Sequence, residues 1–336
     1  MSLDEHKKPS GNGNGVALST QVAHRLRLNP STDHKPDSYE DLQSDFSPLL
    51  FSSLERVIHL FLFGVGDQPL HGELYTMNAV NFFVPSFLKA INEKTDESFR
   101  SILVEPTPGV YVFEMFQPSF CEMLMSEVEN FERWVHDTKF RIMRPNTMNK
   151  YGAVLDDFGL ETILDKLMDE YIRPMSKVFF PEVGGLTLDS HHGFVVEYGV
   201  DRDVELGFHV DDSEVTLNVC LGKQFYGGEL FFRGVRCDKH VNTETQPEEI
   251  LDYVHVPGRA VLHRGRHRHG ARATTSGHRC NLILWCRSSV FRELKKYQKD
   301  FSSWCGECRR EKRERQRLSI TATKLELLKR DGISAS

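Results

Sequence analysis

The sequence predicts an α+β fold built on a double-stranded β-helix, a jelly roll of the cupin type, with supporting helices placed ahead of it. Three observations carry that expectation. Helical spacing dominates before about residue 190, while from Gly193 onward short apolar runs alternate with Gly, Pro and Asp. The 336 residues, 39% hydrophobic and 27% charged, are enough for one sizeable core or two modest ones.

In chain order, residues 1–48 are rich in Ser, Asn, Gly, Asp, His and Lys and are expected to form a flexible arm. Residues 49–190 read as a helical support region. It opens on LERVIHLFLFG, an apolar burst whose periodicity does not choose between helix and strand. Phe120, Leu124, Val128, Phe131 and Val135 then recur at helical spacing behind Pro118 and Ser119, which predicts an amphipathic helix over 117–137. A second helix starts near Leu160 and carries Ile163, Leu164, Leu167, Tyr171 and Ile172 until Pro174 perturbs it. Residues 191–290 hold eight candidate strands, at 194–198, 204–211, 214–221, 228–233, 252–256, 259–264, 269–274 and 279–287. In the last, Cys280, Leu282, Leu284 and Cys286 face one way and Ile283 and Trp285 the other, so one side should meet the barrel interior and the other the helices. Residues 291–336 form a charged tail whose Arg, Lys and Glu run reads as a solvated helix face.

Composition narrows the function classes. With 42 Lys plus Arg against 48 Asp plus Glu, the formal charge is −6, so direct nucleic-acid binding is not expected. No run reaches the ~20 apolar residues of a membrane span, and the opening MSLDEHKKPSGNGNG lacks a signal-peptide core. Seven cysteines in such a chain suggest reduced thiols, and the final DGISAS is no endoplasmic-reticulum retention tail. A nuclear or cytoplasmic, non-secreted protein is expected.

The informative pair is His209 and Asp211, two apart on a predicted strand and hence on one face. An imidazole and a carboxylate, completed by a second imidazole from elsewhere, make the facial triad that holds non-haem Fe(II). Three positions then stay open, two for a bidentate 2-oxo acid and one for O2. Downstream, HRHGARATTSGHRCNLILW offers His269 ten residues before Arg279. An arginine aimed into an apolar barrel requires an anionic partner, and the far end of a dicarboxylate supplies one. His263, His267 and His269 are evenly spaced, so strand parity alone does not choose the distal ligand. The following Gly270 and the interval to Arg279 favour His269.

The stretch EYGVDRDVELGFHVDDSEVTLNVCLGKQFYGGELFFRG, with PGRAVLHRG and HGARATTSGHR after it, resembles the Fe(II)- and 2-oxoglutarate-dependent dioxygenase domain of the prolyl 4-hydroxylase superfamily, PKHD type, including plant members. YVFEMFQPSFCEMLMSEVENF and RPNTMNKYGAVLDDFGL also resemble the stretch ahead of that domain, so the likeness covers roughly residues 105–305. The resemblance implies that His209, Asp211 and His269 ligate iron and that Arg279 clamps the C5 carboxylate of 2-oxoglutarate. It further implies that Tyr198 hydrogen-bonds the cosubstrate and Trp285 walls the pocket. The activity it implies consumes 2-oxoglutarate and O2, releases succinate and CO2, and uses L-ascorbate as reductant.

By the same resemblance the expected substrate is a protein side chain, Pro or Lys, with chromatin-associated proteins among the candidate partners. The alternatives are oxidative demethylation of a methylated histone lysine or nucleobase, and a non-catalytic scaffold of the same fold. Thr216 and Asn218 either line the pocket or bond to backbone. His191 and His192 read as loop residues facing opposite ways, and Gly227 and Gly228 as a turn. Cys305 and Cys308 are half of a zinc site with no comparable second pair nearby, which reads chiefly as free thiols.

Overall fold

The computed structural model describes residues 69–138, 142, 144–297 and 302–330. The polar arm and the LERVIHLFLFG burst lie outside the described residues. Two sheets face each other, with helices packed on the outer face of the larger one.

Short helices α1 (Ala79–Phe82), α2 (Pro85–Glu93) and α3 (Asp96–Ile102) lead into strands β1 (Leu103–Thr107) and β2 (Val110–Glu114). The amphipathic stretch forms α4 (Pro118–Thr138), burying Phe120, Leu124, Val128 and Phe131 as its spacing predicts. Strand β3 (Gly152–Val154) precedes α5 (Glu161–Lys166) and α6 (Arg173–Phe179). Pro174 does not end the helix that begins near Leu160. A π-helical stretch, Leu167–Ile172, joins α5 to α6 and widens the turn ahead of the residue that lacks an N–H.

The remaining strands are β4 (Ser190–Gly199), β5 (Leu206–His209), β6 (Val215–Gly222), β7 (Phe225–Gly227), β8 (Leu230–Val235), β9 (Ile250–Tyr253), β10 (Arg259–Arg264), β11 (His267–Ala271) and β12 (Thr274–Arg287). Helices α7 (Ser289–Tyr297) and α8 (Gly306–Arg330) follow. The large sheet runs β1-β2-β10-β6-β12-β4-β3, with β7 paired to β12, and the small sheet runs β5-β11-β8-β9. All pairings are antiparallel, as a jelly roll requires.

Three expectations change. The segment read as helical support also contributes β1, β2 and β3 to the large sheet. His191 and His192 belong to β4 rather than a loop, and bond to Asp165 and the Pro145 carbonyl from opposite faces. His263 lies on β10 of the large sheet and His267 on β11 of the small one, so their even spacing is not that of a single strand.

The two faces of β12 divide as the alternation predicts. Cys280, Leu282, Leu284 and Cys286 pack with Leu124, Val128 and Phe131 of α4 in the helix-side core. Ile283 and Trp285 pack with Phe194, Val196 and Tyr198 inside the roll. A second interior cluster joins Val110, Val112 and Val261 of the large sheet to Leu230, Phe232 and Ala271 of the small one. Each such buried aliphatic or aromatic side chain contributes roughly 1.5–3 kcal/mol, so both mouths of the roll rest on rigid walls. No helix among the described residues is long and apolar enough to cross a membrane.

Candidate active site

His209 is the last residue of β5 and pairs directly with His269 on β11. Antiparallel register therefore sets the two imidazoles side by side, with ring centroids 4.3 Å apart. Asp211 is not on the strand, as its spacing predicts, but in the turn after it. Its backbone N–H donates to the Gly265 carbonyl in the β10–β11 turn. These turns touch backbone to backbone: a Cβ on Gly265 would run into the Ser213 carbonyl and hydroxyl, so only glycine allows the approach.

The three side chains converge. His209 Nε2 lies 3.5 Å from Asp211 Oδ1, and His269 Nε2 lies 3.6 Å from Asp211 Oδ2. The tautomers follow from the opposite edges of the rings. His209 Nδ1 is 2.8 Å from the Gly207 carbonyl and His269 Nδ1 is 2.8 Å from the His267 carbonyl. A carbonyl only accepts, so each Nδ1 carries the proton and each Nε2 presents a lone pair. Two lone pairs thus point at a carboxylate, itself an acceptor, in a buried space. That arrangement fits a cation better than it fits water or a proton.

The electrostatics agree. Burial works against ionising Asp211, yet the neighbouring His269 and His209 hold its carboxyl well below the usual carboxylate range. Burial also lowers His269, to about 3, despite the carboxylate beside it. For His209, burial is outweighed by the hydrogen bond and charge of Asp211, which raise it above the ordinary imidazole value. Thr216, on β6, donates its hydroxyl to Asp211 Oδ2 at 2.7 Å and is itself 2.7 Å from Ser213 Oγ. It is a support for the carboxylate rather than a backbone partner.

Tyr198, His209, Asp211, His269, Arg279 and Trp285 all line one cavity. Arg279 enters it from β12 with its guanidinium 1% exposed and 4.3 Å from the centre of the Tyr198 ring. Its Nη1 donates to the Gly228 carbonyl, while its Nε has no partner. Among the described residues no carboxylate pairs with it, and burial pushes its pKa below the usual guanidinium value. Gly228 has φ +71°, and a Cβ there would stand 3.3 Å from Arg279 Nε, so the turn glycine also seats the arginine. An orphaned, buried guanidinium is the feature a dicarboxylate would satisfy.

Trp285 meets Phe194 edge to face at 5.1 Å and forms an apolar wall. Tyr198 accepts a hydrogen bond from Asn149 Nδ2 at 3.2 Å. Asn218 and Asn281 line the cavity and are joined Nδ2 to Oδ1 at 2.6 Å. Asn281 also donates to His255 Nδ1, which burial and Arg279 together drive down to about 3. Asn146, Asn149, Asn281 and His255 had no visible signal beyond being polar residues in or beside apolar runs. His267 and His263 stand behind His269 and reach no Asp211 oxygen in the cluster of possible ligands. Burial keeps both rings below the ordinary imidazole value, hence neutral.

A family model for the OGFOD2-like domain matches residues 67–185. The chain is 63% identical over 351 residues to the Arabidopsis thaliana 2-oxoglutarate and iron-dependent oxygenase domain-containing protein CP2, covering 93% of this chain and 89% of that one. It is 56% identical to the Arabidopsis thaliana protein of the same description designated ICU11, covering 93% and 87%. It is 37% identical to the Homo sapiens 2-oxoglutarate and iron-dependent oxygenase domain-containing protein 2, covering 73% and 67%. A solved prolyl 4-hydroxylase from Phytophthora capsici is 14% identical over 74% of this chain and 92% of that one, with a TM-score of 0.39.

Proposed function

Since this chain belongs to the family of 2-oxoglutarate and iron-dependent oxygenase domain-containing proteins, we propose that His209, Asp211 and His269 hold its iron and that Arg279 holds the C5 carboxylate of 2-oxoglutarate. The protein is a 2-oxoglutarate-dependent dioxygenase. The observation that carries the assignment of residues is the convergence, on one cavity, of three metal-ligating side chains and a buried guanidinium with which no carboxylate pairs among the described residues.

Held there, iron would supply O2 activation, with O2 as the oxidant: one oxygen atom ends in the succinate formed by decarboxylation of 2-oxoglutarate and the other in the hydroxyl that replaces a substrate C–H hydrogen. The residues do the rest. The Gly207 and His267 carbonyls fix the imidazole tautomers, and Thr216 fixes the carboxylate. Tyr198 supports the guanidinium through its ring, and Trp285, Ile283 and Phe194 keep water from the reacting centre.

For the substrate we infer a protein side chain, Pro or Lys. Support comes from Met148, which lines the same cavity, is 38% exposed and offers apolar contact to an incoming segment. L-ascorbate as reductant and a nuclear or cytoplasmic setting complete the proposal. The latter is supported by seven buried cysteines, none of them paired in a disulfide. The exposed basic stretch of α8 supports an acidic, chromatin-associated partner.

The test is anaerobic titration with Fe(II) and 2-oxoglutarate, then a succinate assay under air against peptide pools containing Pro, Lys and methyl-lysine. Succinate above the uncoupled background with a Pro or Lys pool supports hydroxylation, and formaldehyde release with methyl-lysine assigns the activity to demethylation instead. A wild-type chain that takes up neither metal nor keto acid removes the assignment.

A further inference from the structure

A second cluster of ligating side chains lies at the far end of the small sheet. We propose that Cys237, His240, Cys305 and Cys308 form a structural zinc site that fastens the C-terminal helix to the jelly roll. It is independent of the oxygenase reading.

The sequence supplies two short knuckles, Cys237-x2-His240 and Cys305-x2-Cys308. The first occupies the 3-10 turn Asp238–His240 that follows β8, and the second straddles the start of α8. Folding brings them together and buries all four, with exposures of 7, 4, 0 and 2%. His240 Nδ1 lies 3.4 Å from Cys237 Sγ, 3.6 Å from Cys305 Sγ and 3.4 Å from Cys308 Sγ. Cys237 Sγ and Cys308 Sγ are 3.7 Å apart.

Geometry selects the ion. Zinc binds thiolate at about 2.3 Å and imidazole at about 2.0–2.1 Å, so tetrahedral neighbours stand roughly 3.6–3.8 Å apart. The observed edges match within about 0.2 Å, the tolerance expected of such a site. The Cys237–Cys308 separation is far too long for a disulfide, whose sulfurs sit about 2.0 Å apart, and none of Cys237, Cys305 and Cys308 is disulfide-bonded. Soft sulfur donors favour zinc over the hard cations, and four protein ligands leave no place for a substrate, so the role is structural.

The far nitrogen of the imidazole is also held. His240 Nε2 donates to Glu311 Oε1 at 3.0 Å, which leaves Nδ1 with the lone pair that faces the three sulfurs. Glu311, on α8, is steadied by Lys239 at 3.1 Å. A carboxylate from one knuckle's helix therefore orients the imidazole of the other.

The site also answers what holds α8. Beyond Cys308 every described side chain of this 25-residue helix is exposed or only partly buried. Its buried anchor is Trp304, Cys305 and Cys308 at the N-terminal end, with Glu311 bonded to His240 and Lys239 just beyond them. The knuckles are joined to the catalytic sheet through β8, where Val235 pairs with His267 two residues before the distal histidine.

The test uses the full chain carrying Asp211→Ala, which takes the carboxylate out of the other cluster. It is produced with both iron and zinc supplied, purified without metal-affinity resin, dialysed and analysed by elemental mass spectrometry and zinc K-edge absorption. The expected result is about one zinc per chain, with three sulfurs at ~2.3 Å and one nitrogen at ~2.0 Å. Cys308→Ser should lose it. If that variant does not fold, Glu311→Gln should remain folded and release zinc to a chromophoric chelator with about 10–100-fold weaker affinity. Zinc-free protein, a zinc shell without sulfur, or a Cys305–Cys308 disulfide in freshly isolated chain overturns the proposal. So does full zinc content in Cys308→Ser.

Discussion

Two histidine-containing clusters are linked through the paired strands β8 and β11, and they solve different problems with the same tool. In the His209, Asp211 and His269 cluster, three ligands of nitrogen and oxygen border a cavity. In the cluster of Cys237, His240, Cys305 and Cys308, four ligands, three of them sulfur, are sealed in. Each histidine is aimed by the nitrogen it does not offer. His209 and His269 are held by backbone carbonyls two residues earlier, within their own strands, whereas His240 is held by a carboxylate 71 residues away. Local anchoring keeps an open site rigid without filling it. Long-range anchoring joins two pieces of chain. Ligand number and softness then decide whether a cluster reacts or fastens.

The sharpest way to break this contrast is Asp211→Ala. It should reduce succinate formation to background and abolish tight iron uptake, while leaving the zinc content and the circular dichroism of α8 as in the wild type. Loss of both metals together would show that the clusters are one unit.

Next in size is Arg279→Met, which replaces an unpaired interior cation with an apolar chain. The KM for 2-oxoglutarate should rise by the equivalent of about 2–5 kcal/mol, because the cosubstrate loses a buried charge partner. The ligand-free protein should become more stable by about 1–4 kcal/mol in urea unfolding. Binding and stability moving in the same direction would contradict the picture of a guanidinium waiting for its anion.

Thr216→Val should weaken iron binding about 10–100-fold in a competitive titration, leaving zinc untouched, since the hydroxyl supports only the open site. The mildest change is Tyr198→Phe. It keeps the ring beneath Arg279 and removes the hydroxyl that bonds Asn149 and that the family resemblance aims at the cosubstrate, so KM should shift by the equivalent of about 0.5–1.5 kcal/mol with kcat preserved.

Much of this was legible in the sequence, because a jelly roll writes its strands as alternating apolar runs. The two faces of Leu282–Cys286 could be assigned before any coordinates. β3 escaped notice because three residues carry no period, and β1 because LVEPT places Pro and Glu within five residues. Spacing pairs His209 with Asp211 and favours His269, yet Asp211 reaches both from a turn, not by strand alternation, since Gly265 lets two loops meet there. The sulfur cluster was half visible. Cys305 and Cys308 announced themselves, but their partners are 65 or more residues upstream, and one is a histidine in a 3-10 turn. Only the pairing of α8 with the end of β8 unites them. Thr216, Asn281 and His255 act through one another, and such networks leave no spacing to read.

The lone guanidinium of Arg279 has a consequence for abundance as well as turnover. A ligand that cancels an interior charge raises the folding free energy by an amount set by its own concentration. Cells poor in the keto acid would therefore hold a less durable population of this protein, more open to proteolysis, and cells rich in it a longer-lived one. Carbon supply would set the dose of the enzyme as well as its speed.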